Sequence, residues 1–148
     1  MAAEAQALAL KALARKERSV AELGEWLRGQ GVADDEVEAV VEQLISIGTL
    51  DDARFAFRFA EDKCELAGWG SERIRAALSE RGIGAEDIET ALADTQGSEL
   101  ERAERLLDER GADLSDDGGR ARALSMLARR GYPLELAYEA IGRRSRVD

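Results

Sequence analysis

The sequence predicts an all-α fold, an elongated array of three tandem three-helix repeats with about nine helices in all. Apolar residues recur at helical spacing through most of the 148 residues. Only 5% of the residues are aromatic and only one is proline. The core must therefore be built mainly from Leu, Ala, Val and Ile, which suits helix packing better than a β-sandwich or barrel. A pattern of apolar residues and glycine also recurs at a spacing of about 50 residues.

The first predicted repeat contains three helices. Its first helix is Ala-rich, and Ser19 then forms a capping box with Glu22 that starts the second helix. Gly31 ends this helix, because glycine tolerates the positive φ with which helices commonly stop. Asp34 is expected to cap the third helix, which closes at Gly48. The buried side of that helix is predicted to carry Val37, Val40, Val41, Leu44 and Ile45.

The second predicted repeat starts at Asp51, a residue suited to the N-cap of a helix. The tripeptide Gly-Trp-Gly at 68–70 breaks this helix, and Ser71 is expected to cap the next one. That helix ends at Gly82. A short third helix is predicted over residues 86–93.

The third predicted repeat opens with another capping box, formed by Ser98 and Glu101. Its first helix is followed by residues 112–119, a stretch rich in Asp and Gly that is the best candidate for a linker. The last two helices are predicted over residues 120–130 and from Pro133 onward, because proline suits the first helical turn.

The tandem repeats are visible as a recurring set of residues. A unit of about 50 residues buries too little surface to be stable alone, so neighbouring units must stabilise one another. We therefore divide the chain into repeat 1 (residues 1–50), repeat 2 (51–96) and repeat 3 (97–148), the last with an arginine-rich tail. The recurring residues are Leu27, Gly31, Val32, Val37 and Val41 in repeat 1, Leu78, Gly82, Ile83, Ile88 and Leu92 in repeat 2, and Leu127, Gly131, Tyr132, Ala137 and Ile141 in repeat 3.

The composition excludes most hydrolytic and metal chemistry. The chain has no histidine and a single cysteine, Cys64, so it lacks an imidazole base, a Ser-His-Asp triad, an internal disulfide and a Cys/His metal cage. Phosphate-binding glycine loops of the Walker and GxGxxG types are missing as well. Cys64 is expected to be a small buried apolar residue rather than a nucleophile. The sequence predicts no catalytic residue, no metal and no cofactor.

Acidic residues dominate the charge, with 31 Asp and Glu against 21 Lys and Arg and a net charge of −10. Free DNA is not expected to be the main ligand, because affinity for DNA comes mostly from Lys and Arg. No apolar run is long enough to span a bilayer, and the Ala-rich start is unlike a basic signal peptide, so we expect a cytoplasmic protein without a membrane partner. The acid pairs could bind magnesium or cap helices, and we favour capping for those at helix starts. These pairs are Asp34/Asp35, Asp51/Asp52 and Asp116/Asp117.

Two aromatic residues of the second repeat stand out. Trp69 lies between two glycines and is expected either to anchor a corner of the core or to form an exposed anchor at a protein interface. Phe55 and Phe59 share one face of their helix, whereas Phe57 points elsewhere. Phe57 is predicted to pack against an adjoining repeat, with exposure to a partner as the alternative.

Arginine residues cluster around the second repeat. Arg54 and Arg58 are four residues apart on one helical face, and Arg73 and Arg75 follow in the next helix. They either bind a partner or form surface ion pairs with Glu61, Asp62, Glu65 and Glu72. Positive charge is otherwise concentrated only near the C-terminal end, where any phosphate contact is to be sought. The arginines there are Arg129, Arg130, Arg143, Arg144 and Arg146.

Three motifs lie close together in the second repeat, and related residues flank them. The motifs are Leu50-Asp51-Asp52-Ala53-Arg54-Phe55-Ala56, Gly68-Trp69-Gly70, and Arg73-Ile74-Arg75 with Leu78 and Arg81-Gly82-Ile83. The flanking residues are Arg15, Glu17-Arg18-Ser19, Glu22-Leu23, Leu27 and Gly31 upstream, and Leu127 with Arg129-Arg130-Gly131-Tyr132 downstream. On these residues the chain closely resembles the RecX family, regulators of the RecA recombinase. The resemblance covers about residues 5–142.

The resemblance implies a protein that lies in the helical groove of the RecA filament on single-stranded DNA. It implies inhibition of RecA's ATP hydrolysis, strand exchange and coprotease activity by a protein that is not an enzyme. The expected partner is the RecA filament, with single-stranded DNA contacted only indirectly or weakly, and the expected state is a monomer. The family-signature positions are Asp52, Phe55, Gly68, Gly70 and Gly82, and the candidate partner-binding residues are Arg54, Arg58, Trp69, Arg73, Arg75, Arg81, Arg129 and Arg130.

This chain departs from the family pattern at several positions. Gly24 and Glu25 stand where arginine is common, Val32 replaces an aromatic residue, and Phe57 occupies a position that is usually polar. The acidic balance favours contact with basic protein surfaces over direct contact with DNA. Two alternatives remain open, a helix-turn-helix DNA-binding protein and a helical-repeat adaptor for another protein.

Overall fold

The chain is all-α, as its composition and periodicity predict. The computed structural model describes residues 2–96 and 99–146, and within these ranges it contains nine helices and no strand. The helices are α1 Ala2–Arg15, α2 Val20–Gly29, α3 Asp34–Ser46, α4 Asp52–Glu65, α5 Ser71–Glu80, α6 Ala85–Gln96, α7 Glu99–Glu109, α8 Asp117–Arg129 and α9 Leu134–Ser145.

Three groups of three consecutive helices each enclose their own apolar core. Leu23 and Leu44 are fully buried among α1–α3, Ile74 and Leu92 among α4–α6, and Leu127 among α7–α9. Helix packing occurs mainly within a group rather than between groups. The prediction of tandem three-helix repeats in an extended array is therefore confirmed. The exact residues at which one repeat ends and the next begins stay a prediction.

Local signals start several helices as predicted. Ser19 Oγ accepts a hydrogen bond from the Glu22 amide at 3.1 Å, and Glu22 Oε1 accepts one from the Ser19 amide at 3.0 Å, which completes the capping box of α2. Asp51 caps α4 through a hydrogen bond from the Arg54 amide at 3.1 Å. The glycines at the predicted helix ends adopt positive φ angles, among them Gly31 (88°), Gly48 (79°) and Gly82 (81°).

Some local predictions are wrong in detail. Asp34 and Ser71 are the first residues of α3 and α5 rather than their caps, and the actual N-caps, Ala33 and Gly70, form no side-chain capping bond. Ile45 is 48% exposed although it was predicted to be buried. The buried stripe of α3 runs through Val37, Val40 and Leu44, and the next residue along a helix points about 100° away from this stripe.

Two predicted boundaries shift, and one prediction lies outside the described part of the chain. Helix α8 begins at Asp117, inside the predicted linker, because Asp116 caps it by accepting a hydrogen bond from the Gly119 amide at 2.7 Å. Helix α6 extends beyond both ends of its predicted range. The capping box proposed for Ser98 falls on a residue that is not described.

A polar junction joins the first repeat to the second. Nε and Nη2 of Arg81 donate to the two carboxylate oxygens of Glu22 at 2.8 and 3.1 Å. Ser19 Oγ donates to the Arg81 carbonyl at 2.7 Å. The Val20 amide donates to Asp52 Oδ1 at 2.8 Å. These contacts hold the start of α2 against the end of α5 and the start of α4.

The two carboxyl groups of this junction differ in their electrostatics. Burial opposes the ionisation of Glu22, but hydrogen bonds from Arg81 and Ser19 outweigh burial and lower the pKa of its carboxyl. Burial and the neighbouring negative charges, chiefly that of Asp87, raise the pKa of Asp52 despite the hydrogen bond from Val20. Ionisation of Glu22 therefore stabilises the junction, whereas ionisation of Asp52 opposes it.

The second repeat joins the third through direct backbone contact. The Gly70 amide donates to the Arg130 carbonyl at 2.8 Å, and the Glu72 amide donates to the Gly131 carbonyl at 2.9 Å. A Cβ atom on Gly70 would lie 2.5 Å from the backbone of Gly131. A Cβ atom on Gly131, which has a φ of 95°, would lie 2.3 Å from Cβ of Arg73. Only glycine at both positions permits this approach.

Side chains complete the second junction. Tyr132, which is 1% exposed, donates its hydroxyl hydrogen to the Gly68 carbonyl at 2.9 Å. The buried carboxylate of Glu99 accepts hydrogen bonds from the Ser71 amide at 2.7 Å and from its hydroxyl at 3.1 Å. Glu99 thereby caps α5 from the next repeat, which explains why Ser71 does not act as the cap itself. The Glu99 carboxylate also lies 3.8 Å from Nη2 of Arg102.

Replacement of Gly70 by alanine tests the backbone contact. We expect Gly70→Ala to lower the free energy of unfolding by about 2 kcal/mol, because overpacking a closed contact typically costs that much. Urea unfolding followed by circular dichroism measures the loss. Gly84→Ala is the matched control: Gly84 also immediately precedes a helix, and a Cβ there meets no atom within 4 Å. Equal losses in the two variants would contradict the proposed steric role.

The pH dependence of stability tests the Glu22–Arg81 pair. Because the folded state lowers the pKa of Glu22, its stabilisation is present above the ordinary Glu pKa of about 4.3 and is lost as the pH falls through the lowered value. We expect Glu22→Gln to cost about 1 kcal/mol at neutral pH, with the difference from the wild type shrinking under acidic conditions. Urea unfolding at a series of pH values gives this profile.

Asp52→Asn is the control, because the pKa of Asp52 is shifted in the opposite direction to that of Glu22. Because the folded state raises the pKa of Asp52, the protein loses stability as this group ionises above its ordinary pKa of about 3.9. The asparagine variant can still accept the Val20 hydrogen bond, so we expect it to be relatively more stable at neutral pH than in acid. If the stability difference from the wild type changed with pH in the same direction for Glu22→Gln and Asp52→Asn, the opposite pKa shifts assigned to these two groups would be refuted.

Candidate partner-binding surface

Several residues predicted to bind a partner form contacts that hold the protein together. Arg81 and Arg130 lie in the two junctions: Arg81 pairs with Glu22, and Arg130 Nη1 donates to the Ala67 carbonyl at 2.8 Å. Arg54 donates from Nη1 and Nη2 to carbonyls just after α3, at 3.0 and 3.1 Å. These three guanidinium groups therefore have structural roles in the folded chain.

Two further arginines form ion pairs, but not with the acids expected from the sequence. Arg75 donates two hydrogen bonds to Glu89 on α6, at 2.8 and 3.2 Å, and hydrogen bonding from Arg75 lowers the pKa of the Glu89 carboxyl. Arg58 Nη1 lies 3.5 Å from a carboxylate oxygen of Glu17 in the first repeat. The described residues include no ion pair from these arginines to the predicted acids, because packing brings carboxylates of other segments closer. The predicted acids were Glu61, Asp62, Glu65 and Glu72.

Trp69 lies beside two cations at the second junction. Its ring contacts Phe59 edge-on, with 6.2 Å between the ring centroids, and the residue is half-buried. Lys63 Nζ lies 4.7 Å and Arg73 Cζ 4.0 Å from the centroid of the indole ring. We call Lys63, Trp69 and Arg73 the Trp69 cluster. Trp69 thus packs on the core, as one predicted role requires, and also forms cation–π contacts near the surface, while its role at a protein interface stays a prediction.

Arginines of the third repeat are partly neutralised. Arg129 is exposed in the last turn of α8, one residue before the segment that contacts Gly70. Arg143 pairs with Glu104 at 2.9 Å, and Arg144 pairs with Asp108 at 2.7 Å. Of the predicted partner-binding residues, Arg73 and Arg129 therefore remain the most available for an external ligand.

Phe57 and Cys64 have different environments on α4. Phe57 is 42% exposed at a cleft of about 310 Å³, so the preferred prediction, packing against an adjoining repeat, is wrong and the alternative of exposure holds. Its helical position turns it away from the core face that carries Phe55. Cys64 is 6% exposed, and burial raises the pKa of its thiol, which confirms its predicted role as a buried apolar residue.

Two of the three acid pairs singled out in the sequence contain a residue that caps a helix. Asp51 and Asp116 cap α4 and α8, as their placement suggests. Residues 2–96 and 99–146 include no group of three His, Cys, Asp or Glu side chains that could hold a metal ion. In the same part of the chain, no helix is both long and apolar enough to cross a membrane.

Sequence reasoning missed the carboxylates that join the repeats. Glu99 was not considered, and the hydrogen bond of Asp52 to the first repeat was not foreseen. Alignment of the repeats does not reveal the equivalence, because the separation of Leu78 from Leu127 is 49 residues and places Asp52 opposite Glu101. Only the structure shows that Asp52 and Glu99 each open the first helix of their repeat.

Comparison with protein families agrees with this architecture. The model of the first three-helix domain of RecX matches residues 5–44, and that of the second three-helix domain matches residues 51–92. The regulatory protein RecX of Mycobacterium avium is 36% identical over 143 residues, which cover 93% of this chain and 83% of that protein. The RecX protein of Mycolicibacterium smegmatis is 32% identical over 146 residues, covering 93% and 78%.

Solved structures share the same fold. The crystal structure of RecX from Lactobacillus salivarius superposes with a TM-score of 0.87 at 20% identity and covers 99% of this chain and 97% of that one. A second crystal structure of a regulatory protein RecX gives a TM-score of 0.81 at 23% identity, covering 96% and 71%. The structural likeness establishes the fold, and the sequence identity to the mycobacterial proteins establishes descent. This chain belongs to the RecX family of regulatory proteins.

Proposed function

We propose that this protein regulates the RecA recombinase by binding the RecA filament on single-stranded DNA. The observation that carries the proposal is sequence identity of 36% to a RecX regulator over 93% of the chain. Binding along the filament groove would inhibit RecA's ATP hydrolysis, strand exchange and coprotease activity. The protein acts by occupying a surface, without catalysing a reaction and without a cofactor.

The two junctions support a multivalent mode of binding. Glu22–Arg81 and Gly70–Gly131 hold the three repeats in a defined order, so one chain presents several surfaces at fixed spacing. Once one repeat has bound a RecA subunit, the next contact forms at a high effective concentration. A chain that bridges adjacent subunits would then hinder the motions needed for ATP turnover.

The proposed contact surface includes the Trp69 cluster and Arg129. Tryptophan and arginine are enriched among residues that dominate binding energy in protein interfaces. The net charge of −10 favours approach to basic protein surfaces and weakens direct contact with DNA. The filament protein is therefore proposed as the principal ligand, and single-stranded DNA as an indirect or weak one.

Cosedimentation with preassembled RecA filaments tests the partner. The purified chain should pellet with filaments on single-stranded DNA and remain in the supernatant with the same DNA lacking RecA. Pelleting with naked duplex DNA as strongly as with filaments, with a steep loss of binding at higher salt, would favour the helix-turn-helix alternative. Failure to bind either filaments or DNA would favour an adaptor for another protein.

A double variant in the Trp69 cluster tests the contact surface. We expect Lys63→Ala with Arg73→Ala to weaken inhibition of DNA-dependent RecA ATPase about tenfold, equivalent to about 1.4 kcal/mol of binding energy. Trp69 is left in place because its contact with Phe59 contributes to folding. The measurement is the concentration of protein that halves ATPase activity, with thermal unfolding as the check on the fold.

The matched control removes two exposed cations elsewhere, Lys11→Ala with Arg122→Ala. This control changes the net charge equally, so any general electrostatic effect appears in both variants. Equal inhibition by the wild type and by a folded Lys63/Arg73 variant would exclude the Trp69 cluster from the interface.

A further inference from the structure

A groove of about 230 Å³ lies where the end of α4 meets α7 at the second junction. One wall is formed by residues 64–68, and the other by successive turns of α7. Arg130 and Tyr132 close the groove from the third repeat. None of the Trp69 cluster residues lines it, so this surface is distinct from the one proposed above.

The walls of the groove carry available positive charge. Arg105 on α7 and Arg110, the first residue after that helix, are exposed, and the guanidinium group of neither forms an ion pair or hydrogen bond with any residue in the described ranges. Many other guanidinium groups of the chain are occupied by carboxylates, as Arg75 is by Glu89 and Arg143 by Glu104. In a chain of net charge −10, an unneutralised arginine pair in a concave site favours an anionic ligand.

The groove is held open and rigid by contacts already present. Arg130 Nη1 donates to the Ala67 carbonyl and Tyr132 Oη to the Gly68 carbonyl, which ties the wall formed by residues 64–68 to the third repeat. A Cβ atom on Gly68 would lie 3.8 Å from Arg130 Nη1 and 4.0 Å from Leu106 Cδ1, so glycine leaves this corner free. A site that is formed before binding loses little conformational entropy when it is occupied.

The apolar and acidic residues that line the groove narrow the chemical class of ligand that it can bind. Leu66 is 84% exposed, more than any other large apolar side chain in the described ranges, and it lines the groove with Leu106. Glu65 and Glu109 lie beside the arginines and would repel a continuous polyphosphate. A ligand that carries separate carboxylates with an apolar side chain between them matches the alternating charged and apolar surface of the groove.

We propose that the groove binds an acidic peptide segment of a protein partner. Carboxylates of the segment bind the guanidinium groups of Arg105 and Arg110, where bidentate hydrogen bonds are possible. An apolar side chain of the segment covers Leu66. The inference concerns a second contact of this regulator and does not depend on which protein carries the segment.

Fluorescence anisotropy of the full chain with a labelled peptide of glutamate interrupted by leucine tests the site. The wild type should bind this peptide, and Arg105→Glu or Arg110→Glu should each weaken binding about tenfold or more. Arg122→Glu, which reverses an exposed charge on α8 outside the groove, should leave binding within about twofold. Leu66→Ser should weaken binding without any change in net charge.

The comparison probes are the same peptide with glutamine in place of glutamate and a short single-stranded oligothymidylate. Equal binding of the glutamine peptide, or no effect of the Arg105 and Arg110 variants, would overturn the proposal. Displacement of the acidic peptide by an equal concentration of oligothymidylate would assign the groove to nucleic acid and overturn it as well. The filament contact is proposed on a different surface, so a wild-type chain that pellets with RecA filaments but does not bind the acidic peptide would reject the groove proposal alone.

Discussion

The array depends on carboxylates that cap helices of the preceding repeat. Asp52, the first residue of α4, accepts a hydrogen bond from Val20, the first residue of α2. Glu99, the first residue of α7, does the same for Ser71, the first residue of α5. The first amides of a helix have no partner inside it, so an acceptor oxygen from the next repeat satisfies a donor that would otherwise be unpaired. Each repeat thus completes a helix of its predecessor.

A second contact occurs at both junctions in equivalent positions. The N-cap residue of one repeat's second helix donates to the C-cap carbonyl of the corresponding helix in the next repeat: Ser19 to Arg81, and Gly70 to Arg130. The donor is a hydroxyl in the first case and a backbone amide in the second. The glycine after each C-cap allows the close approach, as the 2.5 Å contact of a Cβ on Gly82 with Ala21 also indicates. The same docking geometry therefore occurs at both junctions. In each case the donor lies in the earlier repeat and the acceptor in the later one.

These junctions change the meaning of the motifs by which the family is recognised. Asp52, Gly70, Arg81 and Gly82 act between repeats, so they contribute to the architecture. Arg73 lies both at a junction and in the Trp69 cluster. Its backbone meets Gly131, while its guanidinium group lies over Trp69.

The sequence by itself determined the helices, the caps of α2 and α4, and the repeat, because those signals act over a few residues. The Ser19 capping box and the glycine ends follow from local backbone chemistry, and the family motifs identify the repeat order. Only the tertiary structure decided which charges meet. Arg81 and Glu22 are 59 residues apart, and their pairing depends on how two helix groups dock. Helix geometry likewise turned Phe57 away from the core face, but only the packing of the helices shows that no adjoining repeat covers it and that it is 42% exposed.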